Sequence, residues 1–244
     1  MNTGGLPTDR QPVRVLIHGA SGRMGQALLR LATDDPSILV VAAVSQSVDQ
    51  RVVDGIPQFS ASELENVPAF DVAIDFSMPA AFDSILALCV DRGVPLVCGT
   101  TGLDDTQKSA LTAASTRIAT LWSSNFSLGV AVLTALAESA ARALPDWDCD
   151  IVESHHKSKL DAPSGTALSL GLAVEHVGAT PRYASLRAGD VIGEHMVQFT
   201  TAGERIELIH RASNRDIFAR GALHAAVRLV GRPPGAYRLA DLIG

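Results

Sequence analysis

The stretch VRVLIHGASGRMGQALLRL, from Val13 to Leu31, constrains the fold more than any other. A short apolar run ends at Gly19. A helical pattern carried by Met24, Leu28 and Leu31 starts at once. Gly19, Gly22 and Gly25 space the turn between them as G-x-x-G-x-x-G. Glycines there let backbone N–H groups approach a pyrophosphate, and the helix N-terminus adds favourable partial charge. Arg23 stands where it could reach a phosphate. A tight strand–helix turn without any ligand would use the same glycines, so the rest of the chain has to decide.

The alternation of strand and helix repeats downstream. SILVVAAVS (Ser37 to Ser45), DVAIDFS (Asp71 to Ser77), VPLVCGTTG and IATLWSSNFS read as strands. PAAFDSILALCVDRG and TQKSALTAASTR read as helices between them. Strands that are apolar on both faces, alternating with helices, predict a parallel sheet covered on each side. After Asn125 the character changes. LGVAVLTALAESAARAL is a long helix, DCDIVES a strand, and PSGTALSLGLAVEHVG a helix closed by Gly178. YASLRAG, GEHMVQFTTAG and ERIELIHRA then predict antiparallel strands joined by Gly-containing turns. DIFARGALHAAVRLVG returns to a helix that would rejoin the first domain. The expected organisation is an α/β dinucleotide-binding domain from residues 1–126 and 215–244, with a smaller mixed α/β domain at 127–214.

Three strand ends carry candidate ligand contacts, because ligands bind at the carboxyl edge of a doubly wound sheet. The second strand ends in Ser45, Gln46 and Ser47 with no acid; Asp49 and Arg51 come later. A carboxylate here would favour a ribose 2′-hydroxyl and repel a 2′-phosphate, whereas hydroxyls and an amide tolerate both. The loops CGTTG (Cys98 to Gly102) and SSNFS (Ser123 to Ser127) offer small residues and hydroxyls to a nicotinamide ribose. Thr101 and Ser127 could instead cap the next helix.

ESHHKSKLDAPSGTAL gathers His155, His156, Lys157 and Lys159 just ahead of a helix start. The N–H groups of Gly165 and Thr166 at that start form an anion site. A histidine near its working pKa can pass a proton. Together these describe a pocket for a carboxylate-rich molecule. Neither C-x-x-C nor H-x-x-x-H spacing accompanies the cluster, so no metal is expected. His176, His195, His210 and His224 have no comparable company and read as structural.

Bulk properties exclude several classes. Of 244 residues, 47% are hydrophobic, enough for a sizeable core, and the formal net charge of −6 argues against nucleic acid or an anionic membrane as partner. Three widely spaced cysteines suggest a reducing cytoplasm rather than a disulfide framework. Neither a signal-peptide h-region nor an apolar run long enough to span a membrane is read.

GASGRMG, CGTTG, SSNFSLGV, ESHHKSKLDAPSGTAL and RAGDVIGEH occur here in the order that resembles the 4-hydroxy-tetrahydrodipicolinate reductases, long called dihydrodipicolinate reductases. The resemblance runs from about Val13 to the C-terminus, and HHKSKLDAPSGTA is its most specific part. It implies NADPH- or NADH-dependent formation of tetrahydrodipicolinate in lysine and diaminopimelate biosynthesis. It also implies a Rossmann-like domain and a homotetramer built through the second domain. By matching motif, His155 is the proton donor or acceptor and Lys159 the proton donor. His156, Gly165 and Thr166 contact the substrate, a small dicarboxylate. The dinucleotide is implied on Gly19, Ala20, Ser21, Gly22, Arg23 and Met24, on Gly99, Thr100 and Thr101, and on Ser123, Ser124, Asn125 and Phe126. Ser45 and Gln46 stand where well-known members carry an acid and an arginine. The segment between Gly178 and Leu186 is shorter than in members with a longer Gly- and Arg-containing stretch. Two other readings remain: a different NAD(P)-dependent oxidoreductase acting on an amino-dicarboxylate, such as an aspartate dehydrogenase, and a non-catalytic nucleotide-binding regulator.

Overall fold

The computed structural model describes residues 11–243. The chain divides into two compact units, Met1–Phe126 with Phe218–Gly244, and Ser127–Ile217. The first begins with β1 (Val13–His18), α1 (Arg23–Thr33), β2 (Ile38–Ser45), β3 (Val52–Val53) and β4 (Ile56–Ser60). After a 3₁₀ turn it continues through β5 (Val72–Asp75), α2 (Pro79–Arg92), β6 (Leu96–Cys98), α3 (Asp105–Ala114) and β7 (Ala119–Trp122). The strands lie in the order β7-β6-β5-β1-β2-β4-β3. All pairs are parallel except β3 with β4.

From β1 the chain winds outward through β2 and β4, then crosses back to β5 on the other side of β1. The carboxyl ends of β1 and β5 therefore form the topological switch point, where such sheets bind ligands. α2 shows why the sequence packs this way. Pro79 opens it with a preset φ, and Gly93 closes it at φ +65°. Phe82, Ile85, Leu86 and Cys89 fall on one face and are buried with Leu96, Cys98 and Leu111. Truncating Phe82 to alanine would cost roughly 3–5 kcal/mol at such a site.

β4 is not predicted by the local pattern. Pro57 argues against a strand, but β4 pairs with β2 only through Gln58, Phe59 and Ser60. The residue without an N–H thus precedes that ladder.

The second unit holds α4 (Leu128–Ala143), β8 (Asp148–His155), α5 (Gly165–Glu175), β9 (Pro181–Arg187), β10 (Glu194–Thr201) and β11 (Glu204–Arg211). Its sheet order is β11-β10-β8-β9. The expected antiparallel pairing holds for β10 with both β8 and β11, but β9 runs parallel to β8. The reason is α5, which acts as a crossover and returns the chain to the starting edge. Leu133, Ala137 and Ala141 of α4 and Ala167, Leu170 and Val174 of α5 pack on Ile151, Val197 and Phe199. Gly171 lets α5 approach β9, since any Cβ there would run into the Tyr183 hydroxyl. The opposite face of the sheet carries an apolar row, Ala184–Val152–Met196–Ile209, in register across all four strands.

The chain then returns to the first unit with α6 (Asp216–Leu229) and β12 (Gly235–Tyr237), which adds to β7 in parallel. Gly221 of α6 packs against the Phe126 carbonyl, leaving no room for a side chain. No described helix is long and apolar enough to cross a membrane.

Candidate active site

In the first unit the glycine turn is built by backbone. The N–H groups of Gly19 and Ala20 both donate to the Val44 carbonyl, at 3.0 and 2.9 Å. Gly19 has φ +81°, and a Cβ there would collide with the Phe76 carbonyl. Gly25 sits beneath the Gly19 carbonyl and the Ala20 backbone and equally excludes a side chain. α1 starts at Gly22 with no side-chain cap, so the first-turn N–H groups are left for a ligand. Ser21, Gly22 and Arg23 are exposed, Met24 is half-buried and Ala20 is buried.

A cleft of about 570 Å³ opens beside the turn, walled by Gly19, Ser21, Ser45 and Gln46 on one side and Phe76 and Met78 on the other. The glycine cradle and this cleft fit a dinucleotide. Ser45 is buried, and its Oγ accepts from the Ser21 N–H at 3.1 Å, while Gln46 is exposed. Arg51, further along the same loop, grips Glu63 with both contacts at 2.7 Å. That grip, with hydrogen bonds from Ser60, pulls the Glu63 carboxyl down to about 2.

The other strand-end loops meet around Phe76, which the sequence presents only as part of a strand. Gly99 lies against its ring so closely that no Cβ would fit. Phe126 is buried against the same ring at 5.3 Å between centroids. Thr100 is buried with Oγ1 donating to Asp75 at 2.7 Å, whereas Thr101 is exposed. Thr101 does not cap α3; Asp104 does, accepting from the Gln107 N–H at 2.8 Å. The Ser123 hydroxyl donates to the Asn125 carbonyl at 2.7 Å, and Ser124 is exposed. Ser127 caps α4 by accepting from Val130 N–H.

In the second unit the His/Lys motif begins on β8 and ends at α5. Alternation along β8 turns Glu153 and His155 to the buried side and Ser154 to the other. Glu153 Oε2 meets His155 Nδ1 at 2.5 Å. Arg187, the last residue of β9, takes both Glu153 oxygens at 2.9 and 2.8 Å. Burial opposes charging Glu153, yet hydrogen bonds from Arg187, Ser185 and His155 outweigh it and hold the carboxyl at about 2. Burial is also the largest influence on His155 and lowers its pKa, against the pull of Glu153. The imidazole is thus neutral near pH 7, with its Nδ1 proton held by Glu153. Nε2 faces Gly193, where even a Cβ would come within 3.1 Å.

Arg187 also donates to the carbonyls of Lys159 and Asp161, so one side chain ties the loop to the carboxylate that orients His155. Lys159 Nζ lies 2.8 Å from Asp161 and is largely covered. His156 is half-buried, its Nδ1 2.8 Å from the Ser158 hydroxyl. Gly165 and Thr166 open α5, with Ser164 as cap.

His195 is a correction to the expectation from sequence. It was expected to be structural and without company, yet its ring meets His155 edge-on at 5.2 Å. Its Nε2 lies 3.1 Å from the Ser164 hydroxyl, which also caps α5. Burial, with the nearby His155, pushes it down to about 4. Its Nδ1 is buried with no partner among the described residues. Register explains the meeting, because His195 pairs with Glu153 across β10 and β8. Glu153 lies in one sequence motif and Arg187 and His195 at the two ends of another, RAGDVIGEH, and strand pairing brings the three together. His176, His210 and His224 make single contacts with the Leu172 carbonyl, the Ser127 hydroxyl and the Leu242 carbonyl.

Family models match both parts of the chain. Residues 13–126 match the model for the dihydrodipicolinate reductase N-terminus, and residues 129–243 match that for its C-terminus. A 4-hydroxy-tetrahydrodipicolinate reductase of Xanthomonas campestris pv. campestris (strain B100) is 67% identical over 95% of this chain and 98% of its own. One of Stenotrophomonas maltophilia (strain K279a) is 66% identical over 96% and 99%. Among solved structures, a dipicolinate-bound dihydrodipicolinate reductase from Paenisporosarcina sp. TG-14 shares the fold. Its TM-score is 0.80 at 23% identity, over 95% of this chain and all of that one. Aspartate dehydrogenase from Thermotoga maritima is more distant, at 12% identity and TM-score 0.52 over 88% and 95%. The chain belongs to the dihydrodipicolinate reductase family.

Proposed function

We propose that this protein carries out the NAD(P)H-dependent reduction of 4-hydroxy-tetrahydrodipicolinate, via dihydrodipicolinate, to tetrahydrodipicolinate in lysine and diaminopimelate biosynthesis. The observation that carries this reading is the assembly of Glu153, His155, Arg187 and the Lys159 loop ahead of the α5 N-terminus. It lies in a chain 66–68% identical to reductases of that name.

The bound nicotinamide would supply the hydride. Gly19 to Met24 would cradle the pyrophosphate, Ser45 and Gln46 would border the adenosine ribose, and Gly99 to Thr101 with Ser123 to Phe126 would hold the nicotinamide half. No carboxylate ends β2, so NADPH and NADH are both accepted. Lys159 donates the proton and pairs with a substrate carboxylate in exchange for Asp161. His155 takes up or returns a proton at Nε2, with Glu153 fixing Nδ1. The first-turn N–H groups of Gly165 and Thr166, with His156, bind the dicarboxylate.

The first unit is thus the dinucleotide-binding domain and the second the substrate-binding and oligomerisation domain. The apolar row on the uncovered sheet face supports a homotetramer, and three free, buried cysteines suit work in the cytoplasm. The test is NAD(P)H oxidation with enzymatically generated precursor. Loss of turnover in Lys159→Ala, with dinucleotide binding kept, supports these roles; full turnover in that variant refutes them.

A further inference from the structure

The mechanism leaves one buried titratable pair unused. His18 and Asp75 end β1 and β5, face each other in register, and stand at the switch point of the sheet. Their exposures are 3% and 0%. His18 Nδ1 lies 2.7 Å from Asp75 Oδ1. The Ser77 N–H reaches the same oxygen at 3.1 Å, and the Thr100 hydroxyl reaches the other at 2.7 Å. The Cys98 thiol stands 3.5 Å from that second oxygen. Burial opposes ionisation of Asp75, but these donors prevail and its pKa falls below the ordinary carboxylate value. A buried carboxylate demands a donor, so Nδ1 carries a proton and Nε2 is the nitrogen left over.

That ring lines the cleft beside the glycine turn, and it is the cleft's one titratable side chain among the described residues. The two arginines nearest in sequence to the turn and the β2 end do not line the cleft. Arg51 is held by Glu63, and Arg23 is exposed on the turn. Asp75 from β5 and the Cys98 thiol from β6 are the titratable groups behind the ring; β2 contributes only Val44, Ser45 and Gln46.

We propose that His18, positioned by Asp75, is a cofactor-selectivity residue whose Nε2 meets the 2′ substituent of the adenosine ribose. The inference rests on the dinucleotide reading of this unit. Neutral imidazole accepts a hydrogen bond from a 2′-hydroxyl. Protonated imidazole donates a charge-assisted bond to a 2′-phosphate. In either form the ring, rather than a carboxylate at the end of β2, bears on the choice between NADPH and NADH.

The test is equilibrium binding of NADPH and NADH to the intact protein, with wild type and His18→Gln compared in the same buffer. His18→Gln keeps a hydrogen-bonding group but not the ring that Asp75 positions. The ratio of the two Kd values should differ by about tenfold between the two proteins, as the loss of one hydrogen bond to the 2′ substituent would give. An equal ratio in the two proteins overturns the role of His18 alone. No dinucleotide binding by wild type overturns the site as well. A second readout needs no variant. In wild type labelled at histidine, adenosine 2′,5′-bisphosphate should shift the His18 Nε2 resonance, and an unmoved resonance overturns the proposal.

Discussion

At the scale of single residues, the roles proposed for the second-unit site give separable predictions. Lys159→Ala should lose substrate binding and turnover together, because one ammonium serves both. His155→Ala should chiefly lower kcat, by roughly the 10²–10⁴-fold of a general acid–base group. Both variants should bind NADPH normally in a titration, since the glycine turn belongs to the other unit. The same cluster sets an acid limit on stability. Folded His195 resists protonation down to about 4, against an ordinary 6.5. The unfolded chain therefore binds more protons between those values, and stability falls as pH drops through that window. Glu153, held at about 2 against 4.5, adds a further loss as pH falls from about 4.5 toward 2. Urea midpoints measured across this range should decline on acidification, and His195→Gln should flatten the upper part. An unchanged slope in that variant would contradict the assignment.

At the scale of elements, the first α/β turn was the most legible part of the chain. An apolar strand, three spaced glycines and a helix can be read locally, and the structure gives each glycine a reason. Gly25 is the sharpest test: its absent Cβ makes room for the backbone of Gly19 and Ala20. Gly25→Ala should cost roughly 1–3 kcal/mol by overpacking and weaken dinucleotide binding further. Denaturant midpoints and a dinucleotide titration would check both effects.

The elements that local sequence does not reveal are those fixed by distant partners. β4 is a five-residue strand with a proline, made a strand by β2. β12 is three residues paired to β7 from far along the chain, with Gly235 opposite Ala119. β9 has the pattern of another antiparallel strand, yet α5 places it beside β8 in parallel. The site shows the same division. His155 and Lys159 are visible as a local cluster, whereas His195, Arg187 and Phe76 acquire their meaning only through pairing and packing.

At the scale of the whole molecule, α4 and α5 pack on one face of the second unit's sheet. The other carries the row Ala184–Val152–Met196–Ile209, flanked by Arg182, Asp150 and Gln198 joined by hydrogen bonds. Apolar rows rimmed by polar residues are the usual mark of association, and closed symmetry is its usual outcome. Light scattering should find a particle of about 100 kDa, four times the 25.6 kDa chain. Met196→Arg, which places a charge in the middle of the row, should shift the population to smaller species. A 25.6 kDa wild-type particle at micromolar concentration would contradict the assembly.

If the proton of the proposed reduction comes from the Lys159 loop, the initial rate of NADPH oxidation with freshly generated 4-hydroxy-tetrahydrodipicolinate will separate wild type from Lys159→Ala. Substrate-dependent oxidation is expected in wild type and a drop of at least about 10²-fold in the variant, with NADPH still bound by both. No oxidation by wild type, or equal rates in the two proteins, would contradict it.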